Sequence, residues 1–131
     1  MWKDEYELGV PEIDNQHRRL FEMVEELDGI LTEKGQEGEK KEKCKNAIIF
    51  MKAYVIMHFT DEEEYQKKIK SPRYEIHHKK HCEFTDTIRR YEEQLIQCNF
   101  DLQIIRKFSE ELDAWLVEHV TGEDLLIRPG E

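Results

Sequence analysis

The sequence predicts an all-α protein, an antiparallel up-down-up-down four-helix bundle that follows an N-terminal loop. Apolar residues repeat at intervals of three and four along four segments, which is the periodicity of helices that bury one face. The connections between these segments are short, so successive helices should be antiparallel neighbours. The chain of 131 residues has only 3 Pro and 6 Gly, and charged and hydrophobic residues each make up 38%. This composition is typical of solvated amphipathic helices, and we expect a single domain over residues 1–131.

The first two helices are predicted from stripes that include metal-ligand side chains. The first stripe comprises Leu20, Phe21, Val24, Leu27, Ile30 and Leu31. A step back of three or four residues from its start reaches His17, which therefore shares the buried side. The second stripe comprises Ile48, Met51, Val55, His58, Phe59, Glu62 and Tyr65. It puts the carboxylate of Glu62 on a buried face, where an unpaired charge is costly, and metal coordination is the simplest compensation.

The third and fourth helices follow the same pattern. Their stripes comprise His77, His81, Phe84, Ile88, Tyr91 and Leu95, and then Ile105, Phe108, Leu112, Trp115, Leu116 and His119. We expect the helices to be separated by breaks at Lys34 to Gly38, at Ser71 and Pro72, and at Asn99 to Asp101. Asp101 is a candidate N-cap for the last helix.

Seven side chains of metal-ligand type fall on these four segments: His17, His58, Glu62, His77, His81, His119 and Asp124. His58 and Glu62 are four residues apart, as are His77 and His81, so each pair shares one helical face. A lone histidine on an apolar face is usually a core residue that bonds to a neighbour, but that interpretation would have to hold five times here. By contrast, we expect His78 to be exposed and non-ligating, and Cys82 to be an ordinary thiol. The set is large enough for two metal ions.

The donor types restrict the metal. Imidazole with carboxylate suits iron, zinc, copper or manganese, and the absence of thiolate from the set excludes iron–sulfur chemistry. Seven ligands exceed a tetrahedral zinc site. If both carboxylates bridge, one metal takes three histidines and the other takes two. The second metal would then keep an open position for a small molecule.

Charge and apolar length exclude several classes of protein. The net charge of -10 argues against nucleic acid or an anionic membrane as a partner. Acidic residues near the N-terminus leave no apolar run for a signal peptide, and no stretch is long enough to span a bilayer. The 3 cysteines have no Cys-x-x-Cys spacing, which fits reduced thiols in a cytoplasm. We expect a monomer because the core would use all four apolar stripes.

Four segments in order resemble the bacterial hemerythrins over essentially the whole chain: WKDEYELGVPEIDNQHRRLF at 2–21, HFTDEEEY at 58–65, HHKKHCEF at 77–84 and WLVEHVTGED at 115–124. The resemblance implies two iron ions with a bridging oxo or hydroxo group. The implied ligands of one iron are His77, His81 and His119, and those of the other are His17 and His58. Glu62 and Asp124 would bridge the pair.

The resemblance also implies reversible binding of dioxygen at the iron held by His17 and His58, where azide-like anions could mimic the gas. We therefore expect an oxygen carrier or store rather than an enzyme. The alternatives are an oxygen or redox sensor, and a di-iron enzyme that acts on peroxide or nitric oxide. An enzyme would need a proton donor near the open iron, and Thr121 and Tyr54 are the candidates. The short tail after Asp124 favours a stand-alone carrier over a sensor.

We expect a dry, apolar pocket at the open iron, because water would release the bound gas. The predicted wall residues are Trp115, Phe21, Ile48, Met51, Val55 and Phe59. Thr121 takes a position where hemerythrins often have a bulky apolar residue near the gas. Its hydroxyl is expected to alter access or to speed autoxidation.

Overall fold

The structure, a computed structural model that describes residues 2–122, has four long α-helices. They are α1 (Pro11–Thr32), α2 (Glu37–Lys68), α3 (Tyr74–Gln97) and α4 (Leu102–Thr121), and a short 3-10 helix at Asp4–Tyr6 precedes them. No strand occurs between residues 2 and 122. Each long helix packs against the next, and α4 closes the ring against α1. The predicted all-α four-helix bundle with an N-terminal loop is confirmed.

The helix ends follow from local chemistry. Pro11 is the first residue of α1, where its missing N–H costs no hydrogen bond. Asp101 caps α4 as predicted, because its Oδ1 accepts a 2.8 Å hydrogen bond from the backbone N–H of Gln103. The breaks before α2, α3 and α4 overlap the predicted regions, although α2 already begins at Glu37.

The N-terminal segment is fastened to the first helix by a buried carboxylate. Asp14 accepts hydrogen bonds from the backbone N–H groups of Leu8, at 2.8 Å, and Gly9, at 3.1 Å. The ring of Trp2 lies against Phe21, with centroids 6.0 Å apart, and its centroid is 6.4 Å from that of His17. The loop therefore covers the part of the bundle that contains His17.

Helix α2 differs from the sequence prediction on its outer side. Its core face is apolar as expected, but four large apolar side chains on the opposite face are exposed to solvent: Ile49 (57%), Phe50 (58%), Ile56 (46%) and Met57 (43%). The prediction of a monomer considered only the four core stripes, and this outer face of α2 was not among them. None of the described helices is long and apolar enough to cross a membrane.

Candidate metal centre

Five histidines and one carboxylate from all four helices meet inside the bundle. His17 comes from α1, His58 and Glu62 from α2, His77 and His81 from α3, and His119 from the last turn of α4, and each is at most 4% exposed. These are six of the seven side chains that the sequence identified as candidate ligands. The seventh, Asp124, lies outside the described residues.

Glu62 stands between two groups of histidines and turns one oxygen towards each. Its Oε2 is 3.0 Å from Nε2 of His17 and 3.1 Å from Nε2 of His58. Its Oε1 contacts Nε2 of His77, and is 3.1 Å from Nε2 of His81 and 3.7 Å from Nε2 of His119. The carboxylate therefore divides the cluster into a two-histidine side and a three-histidine side.

Each side has the dimensions of a metal site. Within the group Glu62, His77, His81 and His119, and within the group His17, His58 and Glu62, one donor atom per residue lies within 4.8 Å of all the others. A carboxylate common to both groups can bridge two ions. Imidazole and carboxylate together suit first-row transition metals, iron among them. The described residues give the two-histidine side one protein ligand fewer.

The charge of Glu62 is stabilised by its imidazole neighbours. Complete burial raises the pKa of this carboxyl group, because desolvation penalises the charged form. The charge of His58 and hydrogen bonds from His119, His17 and His58 outweigh that effect and hold the pKa of Glu62 well below its ordinary value. Glu62 is therefore an anion in the folded protein, as a bridging ligand must be.

Gln16 fixes the ring of His58. The amide nitrogen of Gln16 donates to Asp61 at 2.7 Å, which turns its Oε1 towards Nδ1 of His58 at 2.8 Å. Nδ1 then donates to Gln16, which leaves Nε2 as the ring nitrogen that would coordinate a metal beside Glu62. A hydrogen bond of this kind orients a metal-ligating histidine and makes it more basic.

Glu63 has the corresponding role at His81. Its Oε2 lies 3.1 Å from Nδ1 of His81, whose Nε2 faces Glu62. The other oxygen of Glu63 contacts Nδ1 of His78, which is exposed as predicted and points away from the centre. Cys82 is also exposed, with its Sγ 3.5 Å from Nε2 of His78. A carboxylate thus connects a buried ring to a histidine at the surface.

Gln66 is the third polar side chain that contacts Nδ1 of a buried histidine. Its side-chain nitrogen is 2.9 Å from Nδ1 of His77, and its Oε1 is buried without a hydrogen-bond partner among the described residues. Coordination of a metal through Nε2 of His77 would place the proton on Nδ1, which then needs an acceptor. A half-turn of the amide would bring Oε1 into that role.

Aromatic rings hold the planes of two histidines. Phe59 stacks on His81 with centroids 3.9 Å apart and an interplanar angle of 6°. Trp115 stacks on His119 at 4.3 Å and 13°, and it also stacks on Phe84 at 3.8 Å. These contacts restrict ring rotation and so fix the direction of the donor atoms.

A small apolar cavity lies beside the histidine layer. Its volume is about 10 Å³, close to that of one water-sized probe. Its walls comprise Leu20, Val24, Met51, Val55, Phe59, Phe84, Leu112, Trp115 and Leu116. Leu20 is three residues after His17, and Val55 is three before His58, so the cavity lies one helical turn from the ligands.

The structure separates the predicted wall residues. Met51, Val55, Phe59 and Trp115 line the cavity, whereas Phe21 and Ile48 do not, and neither does Thr121. Phe21 is buried against Trp2 and Tyr6, and Ile48 lines a groove beside Leu95 and Phe100. Thr121 is exposed, and its hydroxyl donates to the backbone oxygen of Val117 at 2.6 Å. It borders an outer cleft whose inner wall is Trp115.

Four buried or partly buried polar side chains around the centre were missed in the sequence, namely Asp14, Gln16, Glu63 and Gln66. A signal was present for one of them, because Gln66 is four residues after Glu62 and continues its face. For the others the spacing gave no signal, because their partners are distant in the sequence. Gln16 and Glu63 contact histidines of another helix, and Asp14 contacts the N-terminal loop.

Comparison with known proteins agrees with the geometry. Residues 8–129 match the family described as the hemerythrin HHE cation binding domain. The chain is 30% identical over 124 residues to a bacteriohemerythrin of Clostridium acetobutylicum, covering 95% of each chain. It is 27% identical over 124 residues to a bacteriohemerythrin of Pseudomonas aeruginosa, covering 95% of this chain and 76% of that one. A myohemerythrin of Theromyzon tessulatum is 24% identical over 123 residues, covering 94% and 86%.

Proposed function

Because the chain belongs to the hemerythrin family, we propose that it binds dioxygen reversibly at a non-haem di-iron centre and serves as an oxygen carrier or store. His77, His81 and His119 would hold one iron, and His17 and His58 the other. Glu62 would bridge them, together with Asp124 and an oxo or hydroxo group. When bound, a ferrous iron pair would supply the two electrons that reduce dioxygen on uptake and would take them back on release.

The observation that supports this proposal is the position of Glu62 between the two groups of histidines. Each carboxylate oxygen faces a different histidine group, with three rings on one side and two on the other. The side with fewer protein ligands is the one where a diatomic molecule could enter. A single catalytic metal would need no such bridging carboxylate.

The surroundings favour binding over turnover. The cavity walls are apolar, so they exclude the water and protons that would release a bound gas. Neither Tyr54 nor Thr121, the two hydroxyl groups considered as proton donors, lines the cavity. Neutral imidazoles also offset less of the metals' positive charge than the four carboxylates of helical di-iron oxygenases, which disfavours the high oxidation states that cleave dioxygen.

The proposal is tested by oxygen uptake with iron counted on the same sample. Protein loaded anaerobically with ferrous iron should contain two irons and take up one dioxygen per chain, then release it under argon. Uptake without release would point to an enzyme or a redox sensor. A chain that binds no iron would contradict the proposed ligands.

A further inference from the structure

The exposed face of α2 contains a continuous uncharged surface, which we call the outer stripe. It comprises Asn46, Ile49, Phe50, Ala53, Ile56, Met57 and Thr60, all of them exposed. They repeat at three and four along the helix, so they form one band on the side opposite His58 and Glu62. The helix is apolar on both sides, whereas the outer face of a bundle helix is normally polar. A contiguous apolar surface of this kind commonly marks an interaction site.

The outer stripe is nearly symmetric about its centre. Asn46 and Thr60 each lie seven residues from Ala53, the smallest side chain in the band. Large apolar side chains flank Ala53 on both sides, Ile49 and Phe50 before it and Ile56 and Met57 after it. Such a sequence fits a second copy of itself related by a two-fold axis.

Contacts within the protein show on which side of the stripe each neighbouring charge lies. Lys43 is 3.3 Å from Glu33, at the end of α1, and Asp61 accepts from Gln16 of α1, so both are on the α1 side. Lys45 and Glu63 are on the other side. Lys45 is 5.6 Å from the ring of Phe100, after α3, and Glu63 contacts His81 of α3.

These charges select an antiparallel pair. On each side of the stripe a lysine precedes it and an acid follows it, at similar distances from Ala53. Glu42 and Glu64, at the two ends of the stripe, meet another acid in either orientation and do not distinguish the two. A two-fold axis at Ala53 places the α1 side of one stripe against the α1 side of the other, so Lys43 of one chain meets Asp61 of its partner. On the α3 side, Lys45 meets Glu63 in the same way. Parallel helices would instead bring lysines to lysines and acids to acids.

We propose that two copies of the chain associate through their outer stripes as an antiparallel two-fold dimer, with Ala53 at the crossing. Ile49 of each chain packs against Ile56 of the other, and Phe50 against Met57. Close approach of the helices is possible because Ala53 is small. One helix pair buries less than the roughly 1,600 Å² of a standard interface, so we expect the dimer to be reversible. The proposed dimer differs from the monomer expected from the sequence.

The first test is sedimentation equilibrium of the full chain over a range of concentrations. Ile56→Asp puts a charge in the stripe and should weaken the dimer at least about 10-fold. The matched control is Ile76→Asp, on α3, where an isoleucine of 47% exposure lies off the stripe and association should be unchanged. A chain that stays monomeric to about 1 mM, or a dimer that both variants affect equally, would overturn the proposal.

The second test locates the axis, because a disulfide traps the dimer even when only a small fraction of it is present. In a background with Cys82 and Cys98 replaced by serine, Ala53→Cys should form an intermolecular disulfide under mild oxidation, because the two-fold brings the two copies of this position together. Gln94→Cys, at an exposed position of α3, is the control. Cross-linking through position 53 no faster than through position 94 would place the contact elsewhere. Neither test involves iron, so their outcome is separate from that of the proposed oxygen binding.

Discussion

Nε2 of His17 lies 3.0 Å from Oε2 of Glu62, a contact between two fully buried side chains that are 45 residues apart. A carboxylate in an apolar interior is stable only with partners that compensate its charge. In Glu62 both oxygens have such partners, and they are the same imidazoles that could hold two metals. The bundle is therefore arranged around the bridging position.

Glu62→Gln tests the bridge. The variant keeps the size of the side chain but loses its charge and one acceptor oxygen. We expect it to bind fewer than two irons per chain, with affinity for the remaining metal lowered by at least about 10-fold. Glu64→Gln is the control, because Glu64 is exposed on the same helix and should leave iron binding unchanged. Two irons bound with normal affinity by the Glu62 variant would rule out a bridging role.

The two glutamines should affect different metals. Gln16→Leu removes the acceptor of His58, and Gln66→Leu removes the neighbour of His77. In each variant we expect a chelator to remove one of the two irons about 10–100 times faster than it removes the second iron. The iron lost first should come from the two-histidine side in Gln16→Leu and from the three-histidine side in Gln66→Leu. Metal release can be followed by absorbance, with Gln94→Leu as an exposed control. Equal loss of both irons in either variant would count against separate sites.

Asp14 should contribute to stability through the N-terminal loop. Asp14→Ala leaves the backbone N–H groups of Leu8 and Gly9 without their acceptor, and the first of these bonds is buried. We expect the free energy of unfolding to fall by about 1–3 kcal/mol, measured by urea denaturation of the metal-free protein. Asp28→Ala removes an exposed carboxylate from the same helix and should change it by less than about 0.5 kcal/mol. Equal effects would show that the two hydrogen bonds do not hold the loop.

Trp115 separates the apolar cavity from the outer cleft, since it lines both. Trp115→Ala should open the cavity to water and speed autoxidation of the iron-loaded protein by at least about 10-fold, if the dry pocket protects the bound gas. Thr121→Leu changes the same cleft but not the cavity, and its autoxidation rate should match that of the unmodified protein. This expectation differs from the one drawn from sequence, because the Thr121 hydroxyl is bonded to the backbone of Val117. Faster autoxidation in both variants would instead indicate a general loosening of α4.

Much of the fold and of the centre could be predicted because both depend on helical periodicity. The same intervals of three and four that bury Leu20 or Phe59 also bury His17 and His58, so the stripes identified the helices and the candidate ligands together. Periodicity assigns a residue to a face but not to a height in the bundle. For that reason Phe21 and Ile48, on core faces as predicted, lie away from the cavity.

The remaining features depend on contacts between distant segments. Gln16 orients His58 only because α1 and α2 align at that level. Asp14 accepts its hydrogen bonds only when the N-terminal loop folds back over it. The outer stripe of α2 was missed for another reason. Ile49 and Phe50 adjoin core positions in the sequence, and an apolar run around a whole helix does not show which residues are left outside.

The most direct measurement is the visible and ultraviolet absorption spectrum of iron-loaded protein, taken through repeated cycles of reduction under argon, exposure to air and return to argon. With two irons per chain, we expect a visible charge-transfer band that appears in air, disappears under argon and returns in the next cycle. Conversion to an unchanging ferric spectrum in the first cycle would contradict reversible oxygen binding.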